Sequence, residues 1–166
     1  MVERGSIDHG AEKVFHLVRS LTVPTPWDIT AFVSTLENMR GKEIRIEPHP
    51  GLSSAGKPCG IWFGTANADV IFYDANTSGY HSEQIVLHEV GHILLGHRGI
   101  ASDNLGASTI PKLLLGIDPE VISDVLCRNM YDDDQESQAE LFASLIMSES
   151  RRRTPGSKLL KTFLRN

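Results

Sequence analysis

Residues 88 to 92 read His88-Glu89-Val90-Gly91-His92, an HExxH pattern inside the apolar run Ile85, Val86, Leu87, Val90, Ile93, Leu94, Leu95. On a helix each residue advances by about 100°, so two histidines four apart project from nearly the same side, one turn above the other. Two imidazoles so placed can grip one metal ion, and nitrogen donors at this spacing are a zinc signature. Glu89 sits one step round the helix, where a carboxylate reaches a metal-bound water without being a ligand, the position of a general base. A shuffled chain of this composition would contain the pattern with a probability of roughly 0.02, so its context has to carry part of the argument.

A catalytic zinc takes three protein ligands and keeps the fourth position for water, so one ligand is missing. His97 is near, but it lies five residues after His92, rotated by about 140° on a helix. No glycine stands where the longer HExxHxxGxxH pattern folds the chain back. His97 therefore reads as a histidine at the helix C-terminus, where a cation complements the dipole. Glu136 and Glu140 are again four apart, on the helical stretch Gln135 to Glu149 whose inner face is Leu141, Phe142, Leu145, Ile146 and Met147. One of these carboxylates could bind the metal while the other orients a ligand histidine. The alternative is a solvated acidic face continuing Asp132-Asp133-Asp134, and spacing alone does not separate the two. Candidate oxyanion donors are Tyr80 and His81, just before the metal helix, and Tyr131.

Other segments must position these groups. Val14, Phe15, Leu17, Val18 and Leu21 form a helical stripe, and Asp28 caps a second helix with Ile29, Phe32, Val33 and Leu36 inward, stopped by Gly41. The Pro24 and Pro26 connector and the scarcity of cations on the second helix exclude a DNA-reading helix-turn-helix. Glu43 to Glu47 alternates as a half-buried strand, and Gly60 to Thr65 with Asp69 to Asp74 reads as a hairpin. Ser82 is the expected N-cap of the metal helix, which should run to about His97. Pro111 to Leu115 reads as a helical turn. Pro119 should open a helix through Val121, Ile122, Val125, Leu126 and Met130, and Lys158 to Leu164 a last amphipathic one. The expected fold is α+β: a small antiparallel three-stranded sheet packed on a metal-binding helix, zincin-like, with helices at both ends. An exposed edge of that sheet could hold an extended peptide by strand addition, with simple packing on the helix the equal alternative.

The chain of 166 residues is sized for one domain, 1–166, and its net charge of −5 argues against nucleic acid or an anionic membrane as direct partner. No apolar run has the length of a membrane span, and Met1 to Ser6 lacks the pattern of an export signal, so a cytoplasmic location is expected. Cys59 and Cys127 show no metal or disulfide spacing. Arg151-Arg152-Arg153 reads as a solvated helix end rather than a docking site.

HEVGHILLGH followed, 44 residues after His92, by ESQAELFASLIM resembles the ImmA/IrrE family of zinc metallopeptidases, in which HExxH precedes an E-x-x-A-(N/D)-x-F-A helix. The match spans about Trp62 to Met147. Glu140 stands where that family has Asn or Asp, and the helix ends Met147-Ser148 where the family often has Met-Pro. The resemblance implies that His88, His92 and Glu136 bind zinc, that Glu89 is catalytic, and that Glu140 lies in the shell behind the ligands. It also implies a zinc endopeptidase acting on a specific protein, a repressor-type transcription regulator. Some members carry a helix-turn-helix domain in front; this chain has no room for one, so the regulator would be a separate protein. Two alternatives use the same residues: a regulatory binding module that captures its partner without proteolysis, and the toxin of a toxin–antitoxin pair.

Overall fold

The computed structural model describes residues 9–49, 52, 60–97 and 132–152, and the backbone of 122–127. The elements are α1 (His9–Ser20), α2 (Ile29–Arg40), β1 (Glu43–Pro48), β2 (Gly60–Thr65), β3 (Ala68–Tyr73), α3 (Gly79–Leu95), β4 (Ile122–Cys127) and α4 (Asp133–Arg152). Among the described residues the architecture is α+β, four helices with a small mixed sheet.

Local sequence sets most of the boundaries. The Asp28 side chain accepts a 2.7 Å hydrogen bond from the Ala31 amide at the start of α2, and Gly41 ends that helix with φ of 66°. Helix α3 begins four residues earlier than its apolar period suggests: Ser78, not Ser82, is its N-cap, accepting from the His81 amide. Asp132 caps α4 by accepting from the Gln135 amide at 2.8 Å.

The sheet order is β1-β3-β2-β4. Strands β2 and β3 form the expected antiparallel hairpin, but β1 pairs parallel with β3, so the sheet is not purely antiparallel. Parallel neighbours need a crossover rather than a tight turn, and the 19 residues between Pro48 and Ala68, which include β2, are long enough for one. The second correction is larger. Ile122–Cys127, expected within a helix from Pro119 to Met130, is a fourth strand antiparallel to β2. Apolar residues at 121, 122, 125 and 126 satisfy a helical period, yet Ser123 and Asp124 are weak helix formers and β2 offers an open ladder. The edge of β2 is thus covered by β4, and strand addition there is closed to a peptide while β4 is in place. The expected segments Pro111–Leu115 and Lys158–Leu164, and Tyr131, lie outside the described residues.

Helix α3 crosses the core. Ile85 is buried, and Val86, Leu87, Val90, Ile93 and Leu95 are buried in one cluster with Trp62 and Ile71 of the sheet and with Phe142, Ala143, Ile146 and Met147 of α4. Helix α1 contributes the buried Val14, and its Lys13 donates a 2.7 Å hydrogen bond to the Leu95 carbonyl at the C-terminus of α3. Asp69, fully buried on β3, receives Arg40, Lys42 and the Trp62 indole at 2.7, 2.8 and 3.0 Å. That cluster ties α2 and the start of β1 to the middle of the sheet, compensating a carboxylate that burial would otherwise penalise. Among the described residues no helix is long and apolar enough to cross a membrane.

Candidate metal centre

Helices α3 and α4 run antiparallel, and a missing side chain lets them meet. A Cβ on Gly91 would come within 3.1 Å of the Phe142 ring and 3.2 Å of the Ala139 Cα. Glycine at this position, with alanine opposite, brings the first turns of α4 down onto the face of α3 that carries the histidines. Glu136 then faces both of them.

The three ligand atoms lie within 4.8 Å of one another. The His88 and His92 Nε2 atoms are 3.0 Å apart, and Glu136 turns one carboxylate oxygen to each at 3.5 Å. With metal–ligand bonds of about 2.0–2.1 Å, the corners of a tetrahedron are about 3.3–3.4 Å apart, close to the spacing of the two histidine nitrogens and to the distance from each to its nearer Glu136 oxygen. The cluster is closed on one side and open on the other: His92 is fully buried, whereas His88 and Glu136 keep 14% and 22% of their side-chain surface.

Two histidines that sequence reasoning separated are joined in the structure. Gly96, in the left-handed region at φ of 69°, ends α3 and turns the chain so that His97 comes back against His92. The His97 amide caps the helix by donating to the His92 carbonyl at 3.1 Å. The His97 ring, 6% exposed, places Nδ1 2.9 Å from His92 Nδ1 and Nε2 3.3 Å from Gln138 Oε1. With the Gln138 carbonyl oxygen accepting from His97 Nε2–H, His97 Nδ1 is the acceptor and His92 Nδ1 the donor. His92 Nε2 is left with its lone pair directed into the cluster. This relay fixes the tautomer a metal ligand needs. For a metal held by this cluster, replacing His97 by Ala should weaken binding about 10- to 100-fold, measured by competition with a chelator of known affinity.

Burial pushes His92 far below the usual histidine range, to about 2, with repulsion from His88 and His97 adding to it. Burial also lowers His97, against the opposing hydrogen bond to Gln138. The Glu136 carboxylate, 3.5 Å from His92, works in the opposite direction. Neutral histidines bind metal and charged ones do not. Both folded-state values are depressed, so the unfolded chain binds more protons below about pH 6.5 and folding stability falls with pH there. The metal-free protein should hold full stability above about pH 7 and lose up to about 1.4 kcal/mol per pH unit through His92 as the pH drops below 6.5, with His97 acting in the same direction. Urea unfolding midpoints at a series of pH values read this directly.

Glu89 is 4% exposed and borders an open cleft of about 80 Å³ lined also by Gly60, His81, Gln84, Ile85, His88, Glu140 and Ala143. It fits because β2 begins with glycine: a Cβ on Gly60 would stand 2.7 Å from Glu89 Oε1 and from Ile85 Cγ2. Glu89, the candidate base, His88, a candidate ligand, and His81, a candidate donor, therefore share one opening. Glu140 lies one turn beyond Glu136 on the same wall; for His92, the orienting contacts come from His97 and Gln138. Tyr80 is not in this cleft. It lines a neighbouring groove, 48% exposed, with the Arg151 guanidinium 4.5 Å above its ring. The sequence did contain signals for the missed residues: Gly91 is a glycine inside an apolar helix, and Gly96 stands immediately before His97.

Comparison with family models, with curated proteins and with solved structures gives no match to this chain.

Proposed function

We propose that this chain is a cytoplasmic zinc endopeptidase, of zincin-like build, that hydrolyses a peptide bond in a specific protein, a repressor-type transcription regulator. The observation that carries the reading is the convergence of His88, His92 and Glu136, with Glu89 sharing an open cleft with His88. The donor set of two imidazoles and a carboxylate with an open side suits a catalytic zinc rather than a structural one. Zinc bound there would act as a Lewis acid toward a scissile carbonyl and lower the pKa of a bound water to near 7.

The rest of the chemistry belongs to the protein. Glu89, held between Gly60 and Ile85, accepts the proton of the attacking water on its carboxylate and gives it to the departing amine. Its burial keeps bulk water from competing for that proton. His97 and Gln138 hold His92 in register, and His81 at the cleft mouth is the candidate donor to the developing oxyanion. The choice of a regulator as substrate rests on the resemblance of the two motifs, in order, to ImmA/IrrE peptidases.

The test compares new protein N-termini in host cells expressing the wild type or Glu89→Gln. A neo-N-terminus that appears only with the wild type names the substrate and the bond together. Identical sets, with zinc bound in both proteins, would favour the binding module.

A further inference from the structure

The cleft beside Glu89 does not stop at the metal cluster. Gln84 lines it and also lines a second groove of about 390 Å³, walled by Tyr80 of α3 and by Ser144, Met147, Arg151 and Arg152 of α4. The two openings thus follow one another along the antiparallel pair α3 and α4, from Glu136 and His88 at one end to Arg151 and Tyr80 at the other. Charge changes sign along the way. Glu89, Glu136 and Glu140 stand at the metal end and two arginines at the far end, in a chain whose net charge is −5.

Arg151 is not simply a solvated helix end. Its guanidinium lies over the face of Tyr80 at 4.5 Å, a cation–π contact that holds the group in the groove wall. Stacking uses the flat face of the guanidinium and leaves its in-plane N–H donors for a forked contact with a carboxylate. Arg152 is differently engaged, 75% exposed and 3.4 Å from Glu149. Arg151 is thus the better placed of the two to read a ligand.

We infer that this groove is a peptide subsite in which Arg151, braced by Tyr80, selects an acidic side chain of the substrate; the inference rests on the endopeptidase reading and specifies its substrate class. Tyr80 is eight residues before His88, about 12 Å along the helix at 1.5 Å per residue. An extended peptide covers that span in about four residues at 3.3 Å each, which sets the acidic side chain about four positions from the scissile bond, on one side only. The acidic wall around Glu140 discourages a second acidic residue close to the bond.

The test uses the full chain carrying Glu89→Gln, loaded with zinc and panned against a displayed library of random dodecapeptides. Asp and Glu should be enriched several-fold at one fixed position of the bound peptides. Adding Arg151→Glu should replace them there by Lys and Arg, while Arg151→Gln, which keeps a flat group over Tyr80, should abolish the preference without inverting it. Absence of acidic enrichment, or enrichment that survives Arg151→Glu, overturns the subsite. Incubating the wild type with a peptide library separates the two readings. Acidic peptides that bind but are never cut leave the subsite standing and remove the endopeptidase; cutting without an acidic preference does the reverse.

Discussion

Replacing Glu89 by Gln should leave the fold and the bound zinc in place and slow peptide hydrolysis by about 10²- to 10⁴-fold, the usual worth of a positioned general base. Gln has the size and shape of Glu, so it fits the space that Gly60 leaves open, and it removes only the ability to accept a proton. Since Glu89 is not among the three ligand residues, metal content should stay at the wild-type ratio. At about 1.36 kcal/mol per tenfold, the expected loss is about 3–5 kcal/mol of transition-state stabilisation with no matching loss of folding stability. The measurement is single-turnover cleavage of the substrate identified from its neo-N-terminus, with metal analysis on the same samples. A variant within threefold of the wild type would remove Glu89 from the role of base.

The second large effect is expected at His92. This residue is fully buried and its two ring nitrogens serve different partners, Nε2 facing His88 and Glu136 and Nδ1 facing His97. His92→Ala removes a ligand, leaves His97 without its partner and opens a hole in the core beside Gly91. Zinc that binds only the folded chain stabilises it by about 4 kcal/mol when present at about a thousand times its dissociation constant. For a domain of this size that corresponds to roughly 8–16 °C of melting temperature. A chelator should therefore lower the melting temperature of the wild type by that order and leave His92→Ala unchanged. Glu136→Gln should fall between them, because an amide oxygen keeps a donor but loses the charge. An equal chelator response in wild type and His92→Ala would place the metal elsewhere.

The site was legible in the sequence where the chemistry follows a single helix. His88, Glu89 and His92 are fixed relative to one another by the geometry of one turn, and the pair Glu136 and Glu140 announced itself by the same spacing. Joining the two helices needed either a resemblance or a structure, because nothing in the spacing says that Gly91 meets Ala139. His97 shows the limit most clearly. Extrapolated as helix it points about 140° away from His92, but Gly96 ends the helix in a left-handed turn and brings the ring back to 2.9 Å. One residue of backbone, not side-chain chemistry, decided its role.

The fold divides the same way. Asp28, Gly41 and the hairpin of β2 and β3 act through neighbours in sequence and could be read locally. The strand at Ile122–Cys127 could not, since its apolar positions suit either period and its partner β2 lies about 60 residues upstream. The parallel pairing of β1 with β3 likewise joins residues 25 apart in sequence, with β2 between them in the chain. Arg151 belongs with these. In sequence it is one of three arginines at a helix end, and only the antiparallel packing of α3 and α4 sets it over Tyr80.

The most direct test of the metal centre is X-ray absorption at the zinc edge on the purified full chain. Two imidazole nitrogens and two further light atoms at about 2.0–2.1 Å are expected, with the imidazole count lowered in His88→Ala and unchanged in His97→Ala. A third imidazole that disappears in His97→Ala, or a sulfur at about 2.3 Å, would contradict the assignment of His88, His92 and Glu136 as the ligands.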